Sequence, residues 1–85
     1  MTKFTYIITD ELGIHARPAG QLVKLAKSFS CDIALECKGN SADLKKLFAV
    51  MGLGAKKGDA IVVSCDGEGE ADASSTLEDF LKQNL

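Results

Sequence analysis

The chain has 85 residues and a mass of 9.0 kDa, which suits one domain over residues 1–85 and, with roughly 63% of the unfolded surface buried, one core and no second. A content of 46% hydrophobic and 26% charged residues excludes disorder, and ten basic against twelve acidic side chains exclude a positive field on the nucleic-acid scale. No apolar run approaches the roughly 20 residues of a membrane span, and Met1 to Tyr6 lacks the layout of an export signal, so the expectation is a small soluble, cytoplasmic domain.

Lys3 to Thr9 is rich in β-branched and aromatic residues, with Phe4, Tyr6 and Ile8 on one face, and reads as a strand. A polar connection follows from Asp10 to Ile14. The period then changes: Ala16, Ala19, Leu22, Val23 and Ala26 fall on one side of a helix that starts at His15 or Ala16. Pro18, the only proline, sits in its first turn, where a missing N–H is harmless. Asp32 to Cys37 alternates as a strand and ends in the turn signal Lys38-Gly39-Asn40.

A short strand is expected over Ser41 and Ala42, after which Asp43 reads as the cap of a brief helix from Leu44 to about Leu53. Lys56 to Asp59 is a loop. Ala60 to Cys65 is the third clear strand, with Ile61, Val63 and Cys65 on one face. Asp66 to Gly69 turns into a last helix from Glu70 to Gln83, striped by Ala73, Leu77, Phe80 and Leu81. The order βαββαβα, with one apolar face per element, predicts helices packed on a single side of an antiparallel sheet. This is an α+β fold, an open-faced two-layer sandwich. The periodicity does not order the strands.

The cysteines, Cys31, Cys37 and Cys65, are odd in number and form no C-x-x-C pair. They are expected as reduced thiols packed like small hydrophobes. With one histidine beside them they lack the spacing of a metal site, and no metal or cofactor is implied.

The one histidine, His15, stands in Gly13-Ile14-His15-Ala16-Arg17-Pro18-Ala19. A residue at a helix N-cap looks onto the orphan N–H groups of the first turn, here those of Ala16 and Arg17. These groups and the helix dipole make a small anion site, and the Arg17 guanidinium can clamp phosphate oxygens. A ring nitrogen beside a phosphate cradle is what reversible phosphohistidine chemistry requires, and positive surroundings favour the neutral, nucleophilic ring. The same residues also fit a plain structural cap.

Two further features suggest partner binding. Arg17, Gly20, Lys24 and Lys27 lie within about an 80° arc of the first helix. They form either a solvated face or a docking strip for an acidic partner, with Gly20 permitting close approach. In the short helix Leu44, Leu47, Phe48 and Met51 form one stripe, while Val50 and Leu53 fall off it. A helix apolar nearly all round cannot bury every side in so small a domain, so Phe48 and Met51 suit an exposed binding patch; all-core packing is the alternative.

With these pieces placed, the sequence resembles the HPr family, the histidine phosphocarriers of the bacterial phosphoenolpyruvate-dependent sugar phosphotransferase system. The likeness runs nearly end to end. It rests on Gly13 to Ala19, on Ala42-Asp43-Leu44-Lys45-Lys46-Leu47-Phe48-Ala49-Val50-Met51-Gly52-Leu53-Gly54, and on Lys57-Gly58 before the last strand.

The resemblance implies a four-stranded antiparallel sheet covered on one face by three helices. It implies that His15 accepts a phosphoryl group on Nδ1 from phosphorylated enzyme I and passes it to the IIA domains of sugar permeases. In this relay the protein acts as a carrier rather than as an enzyme on its own. Ala16 and Arg17 would hold the phosphate. Gly20, Lys24, Lys27, Leu47, Phe48 and Met51 would meet the partners. Lys46 is expected beside that patch on the strength of its charge, and a monomer is expected because nothing in the sequence calls for an obligate oligomer.

In many Gram-positive relatives the position of Lys46 is a serine, phosphorylated by a dedicated kinase to control catabolite repression. Lys46 cannot take that modification, and its fixed positive charge would favour acidic partners. Two other functions remain open: a regulatory binding module on the same scaffold, a class whose members typically lack the histidine, and a nitrogen-related branch of the relay. The pair Leu47-Phe48 looks more like the sugar branch.

Overall fold

The computed structural model describes residues 1–85. Strand β1 (Thr2–Ile7) leads through a loop into helix α1 (Ala16–Lys27), followed by β2 (Asp32–Cys37) and β3 (Asn40–Asp43). Helix α2 (Leu47–Gly52), strand β4 (Ala60–Asp66) and helix α3 (Glu70–Asn84) complete the chain. The four strands form one antiparallel sheet in the order β1-β4-β2-β3. The α1 crossover therefore leaves a gap between β1 and β2 into which β4 inserts, pairing Phe4 with Val63 and Val63 with Leu35. The expected βαββαβα open sandwich is the observed fold.

The β2–β3 hairpin closes at the predicted turn. Cys37 pairs with Asn40, leaving a loop of Lys38 and Gly39 with φ of 53° and 81°. Positive φ at both central residues is the hairpin geometry that matches strand twist, and Gly39 takes it at no steric cost.

Alternation divides the sheet cleanly. Ile33, Leu35 and Cys37 of β2 and Ile61, Val63 and Cys65 of β4 point into the helix layer and are buried. Against them pack Ala19, Leu22, Val23 and Ala26 of α1, Val50 of α2, and Ala73, Leu77 and Leu81 of α3. The accessible surface is 4782 Å², close to the roughly 4,800 Å² that size scaling gives. All three cysteines are free and buried, and burial pushes the thiols of Cys37 and Cys65 up.

Two boundaries and one buried face differ from the pattern. Strand β1 stops at Ile7 rather than Thr9, because the N–H groups of Thr9 and Asp10 turn to the carbonyl of Leu85 (2.6 and 2.9 Å). The α1 stripe buries Pro18, while Ala16 is exposed at the first turn. Helix α2 begins at Leu47 and not at Leu44. The Leu44 N–H still donates to the Ile33 carbonyl (2.9 Å), which keeps Leu44 wholly buried. Asp43 consequently closes an Asx turn onto the Lys45 N–H (2.9 Å) instead of capping the helix, and Lys46 takes the N-cap position.

Candidate functional site

The loop before α1 is fastened from three directions. Its start is tied to the end of α3, where Leu85 accepts from Thr9, Asp10 and the Thr9 hydroxyl (2.9 Å). Its middle is an Asx turn in which Asp10 Oδ1 accepts from the Leu12 N–H (2.9 Å) and the Asp10 carbonyl accepts from Gly13 (3.0 Å). Its end lies on the segment after α2, where the Ile14 N–H donates to the Ala55 carbonyl (3.0 Å). Gly13 makes that last approach possible. It has φ of 66°, and a Cβ there would collide with the Ala55 carbonyl oxygen and lie 2.7 Å from Lys56 Cα.

His15 follows as the N-cap of α1, with extended backbone (φ −102°, ψ 177°) and no side-chain bond to the helix it starts. Its carbonyl accepts the first helical bond, from Ala19 (2.9 Å). Its ring is therefore not consumed by capping, and its side chain is 37% exposed. It opens on a polar cleft of about 240 Å³ lined by Asp10, His15, Arg17, Pro18, Gln21 and Asn84. The first turn of α1 holds no acidic residue of its own, and the carboxylate that lines the cleft is that of Asp10, from the preceding loop. His15 Nε2 stands 3.8 Å from Asp10 Oδ1.

The structure thus brings His15 and Arg17 to one cleft at the start of α1, with Ala16 exposed between them. It also brings in Asp10, Gln21 and Asn84, which sequence reasoning did not single out. Asp10 carried a signal as a turn former, but its closeness to the ring follows from the tertiary ties of the loop. Gln21 lies one helical turn beyond Arg17. Asn84 comes from the other end of the chain, and no local pattern could place it.

The other predicted residues spread away from the cleft. Lys24 and Lys27 are exposed in the last turn of α1, about 14 and 18 Å from His15 along the helix axis. A Cβ on Gly20 would meet nothing within 4 Å, so packing does not require glycine there. Phe48 is 86% exposed and Met51 37%, Leu47 is half-buried and Lys46 is exposed, while Val50 turns fully inward. Of the expected stripe, Phe48 and Met51 with the half-buried Leu47 form a surface patch, while Leu44, which lies before the helix, belongs to the core. The far end of α2 leads through Gly54 to Ala55, the residue against which the histidine loop rests.

No three His, Cys, Asp or Glu side chains gather as a metal site would require, and no helix is long and apolar enough to cross a membrane. The model of the PTS HPr component phosphorylation site matches residues 2–83. The chain belongs to the HPr family of phosphotransferase-system phosphocarrier proteins.

The HPr likeness is as strong in three dimensions. The histidine-containing phosphocarrier protein of a Mycoplasma is 34% identical, aligns over 96% of this chain and 93% of its own length, and superposes with a TM-score of 0.94. An HPr from Thermoanaerobacter tengcongensis is 31% identical over 98% of this chain and 93% of its own, with a TM-score of 0.93. The Bacillus subtilis catabolite repression protein Crh, solved as a domain-swapped dimer, is 26% identical over 100% and 98%, with a TM-score of 0.78. The HPr fold thus occurs in a dimer as well, and fold alone does not dictate a monomer.

Proposed function

We propose that this chain is a cytoplasmic phosphoryl shuttle: His15 accepts a phosphoryl group on Nδ1 from phosphorylated enzyme I and delivers it to IIA components of sugar permeases. The observation that carries this reading is a histidine at a helix start whose ring makes no cap bond and faces a polar cleft shared with Arg17. Transfer needs little beyond placement and charge. The arriving phosphoryl oxygens meet the N–H groups of Ala16 and Arg17, the positive end of α1 and the Arg17 guanidinium. Enzyme I and IIA partners would dock on Gly20, Lys24 and Lys27 of α1 and on Lys46, Leu47, Phe48 and Met51 of α2. The apolar side chains there supply contact area and the lysines steer an acidic partner.

The experiment is incubation with phosphoenolpyruvate and enzyme I, followed by intact mass. One added phosphoryl group, lost in acid, kept in alkali and absent in His15→Ala, is the expected result. No gain, with enzyme I active on a control carrier, would overturn the shuttle. The likeness to Crh makes regulation the second reading, in which the same cleft binds without relaying. The nitrogen-related branch is tested by offering the phosphorylated protein to IIA partners of both branches.

A further inference from the structure

We propose that Asp10 is a positioning residue for His15: its carboxylate holds the proton on Nε2, which leaves the Nδ1 lone pair as the nucleophile, and it stabilises the positive ring formed on phosphoryl acceptance. The inference rests on the shuttle reading for its consequence and on geometry for its content.

The carboxylate is placed before the ring arrives. Its backbone is fixed on both sides, through the Asp10 N–H to Leu85 (2.9 Å) and the Gly13 N–H to its carbonyl (3.0 Å). Its side chain is fixed by the Leu12 N–H, which donates to Oδ1 (2.9 Å). The same Oδ1 faces His15 Nε2 at 3.8 Å, too long for a hydrogen bond and within ion-pair reach. A swing of the ring by about 1 Å, the size of ordinary thermal displacement, closes that gap. An ionised carboxylate accepts only, so it pairs with a ring nitrogen that carries hydrogen. The neutral imidazole then has its proton on Nε2 and its lone pair on Nδ1.

The charge balance runs the same way. As the Nδ1 lone pair forms the N–P bond, the bond between phosphorus and the phosphorylated donor breaks and its electron pair leaves with the donor. Nε2 keeps its proton throughout. The ring therefore changes from neutral to cationic beside Asp10, while the negative oxygens gather at the opposite ring nitrogen. The other charged group lining the cleft is Arg17 of α1; Gln21 of α1 and Asn84 of α3 are neutral. One negative and one positive side chain thus flank a reaction that creates one positive and one negative end.

A merely structural role is the competing account, since Asp10 also closes the loop. Asp10→Asn separates the two, because the amide oxygen can still accept from Leu12 while the charge is gone. Asp10→Ala removes both. In protein carrying 15N-labelled histidine, long-range 1H–15N spectra report the His15 tautomer without any phosphoryl donor. The expected result is a lower share of the Nε2–H form in Asp10→Asn and a still lower one in Asp10→Ala. Acceptance from phosphorylated enzyme I should slow about two- to five-fold in Asp10→Asn, the size of a half-exposed charge pair. A tautomer share unchanged in both variants, or an unchanged rate in Asp10→Asn, overturns the proposal. A parent protein that takes no phosphoryl group would instead overturn the shuttle and leave the tautomer result standing.

Discussion

The three helices begin in opposite ways. Helix α3 opens with Glu70 and Asp72 in its first turn, and the Glu70 carboxylate accepts from the Gly67 N–H (3.2 Å) and meets the Met1 ammonium at 3.0 Å. These negative charges answer the positive end of the helix. Helices α1 and α2 open on His15 and Lys46, with no side-chain cap bond and no acidic residue in the first turn. None of the three starts has a side-chain cap bond, so the contrast is one of charge, worth about 0.3–1 kcal/mol at an exposed helix end. A positive end left unanswered by the first turn at α1 and α2, against an answered one at α3, is what the proposed phosphate cradle and docking face require.

The sharpest way to break that contrast is Arg17→Ala. If the open start of α1 is a phosphate cradle, losing one charge-assisted contact should slow phosphoryl acceptance about 10- to 100-fold while the backbone N–H groups sustain a residue of transfer. Stopped transfer assays against phosphorylated enzyme I measure it, and an unchanged rate would remove Arg17 from the mechanism. At α2, Phe48→Ala should raise the KM for enzyme I about 10-fold, as expected for a docking anchor. Its thermal midpoint should barely move, because Phe48 is 86% exposed. A loss on the order of 3–5 kcal/mol would be the signature of a core residue instead.

The same contrast explains what was legible in the chain. Elements with an unbroken period, β2, β4, α1 and α3, stand close to their expected bounds, because burial of one face dictates them. The start of α2 was not legible. Asp43 before an apolar run looks like a cap, yet Leu44 still pairs with Ile33 across the sheet, and that tertiary bond delays the helix to Leu47. The candidate site divides likewise. His15 and Arg17 announce themselves through one local motif. Asp10 and Asn84 reach the cleft because Leu85, at the end of α3, receives the N–H groups of Thr9 and Asp10. A contact between the two ends of a chain leaves no periodic trace.

A smaller effect tests the compensated start. The Met1 ammonium and the Gly67 N–H hold the Glu70 carboxyl below its ordinary value. A depressed carboxyl contributes stability that is present above its unfolded value and is lost as pH falls through the folded one. Thermal midpoints of the parent and Glu70→Gln should therefore differ at neutral pH, with the parent higher, and converge in acid below the folded value. A gap independent of pH would mean that Glu70 acts through packing and not through charge.

The smallest effect is the most discriminating, because folding and docking pull it in opposite directions. Lys46 places a positive charge at the positive end of α2, the unfavourable arrangement for a helix. Lys46→Asp supplies both a capping oxygen and the right sign of charge, and should raise stability by about 0.5–1 kcal/mol, a few degrees in the thermal midpoint of a domain this size. If the exposed lysine also steers an acidic partner, the same change should raise the KM for enzyme I, and more so at low salt, where exposed charges are least screened. A protein made more stable and a poorer acceptor would show that the charge at this helix start serves docking. A more stable protein with unaltered KM would leave Lys46 outside the interface, and a less stable one would mean that the α2 start was not short of a cap.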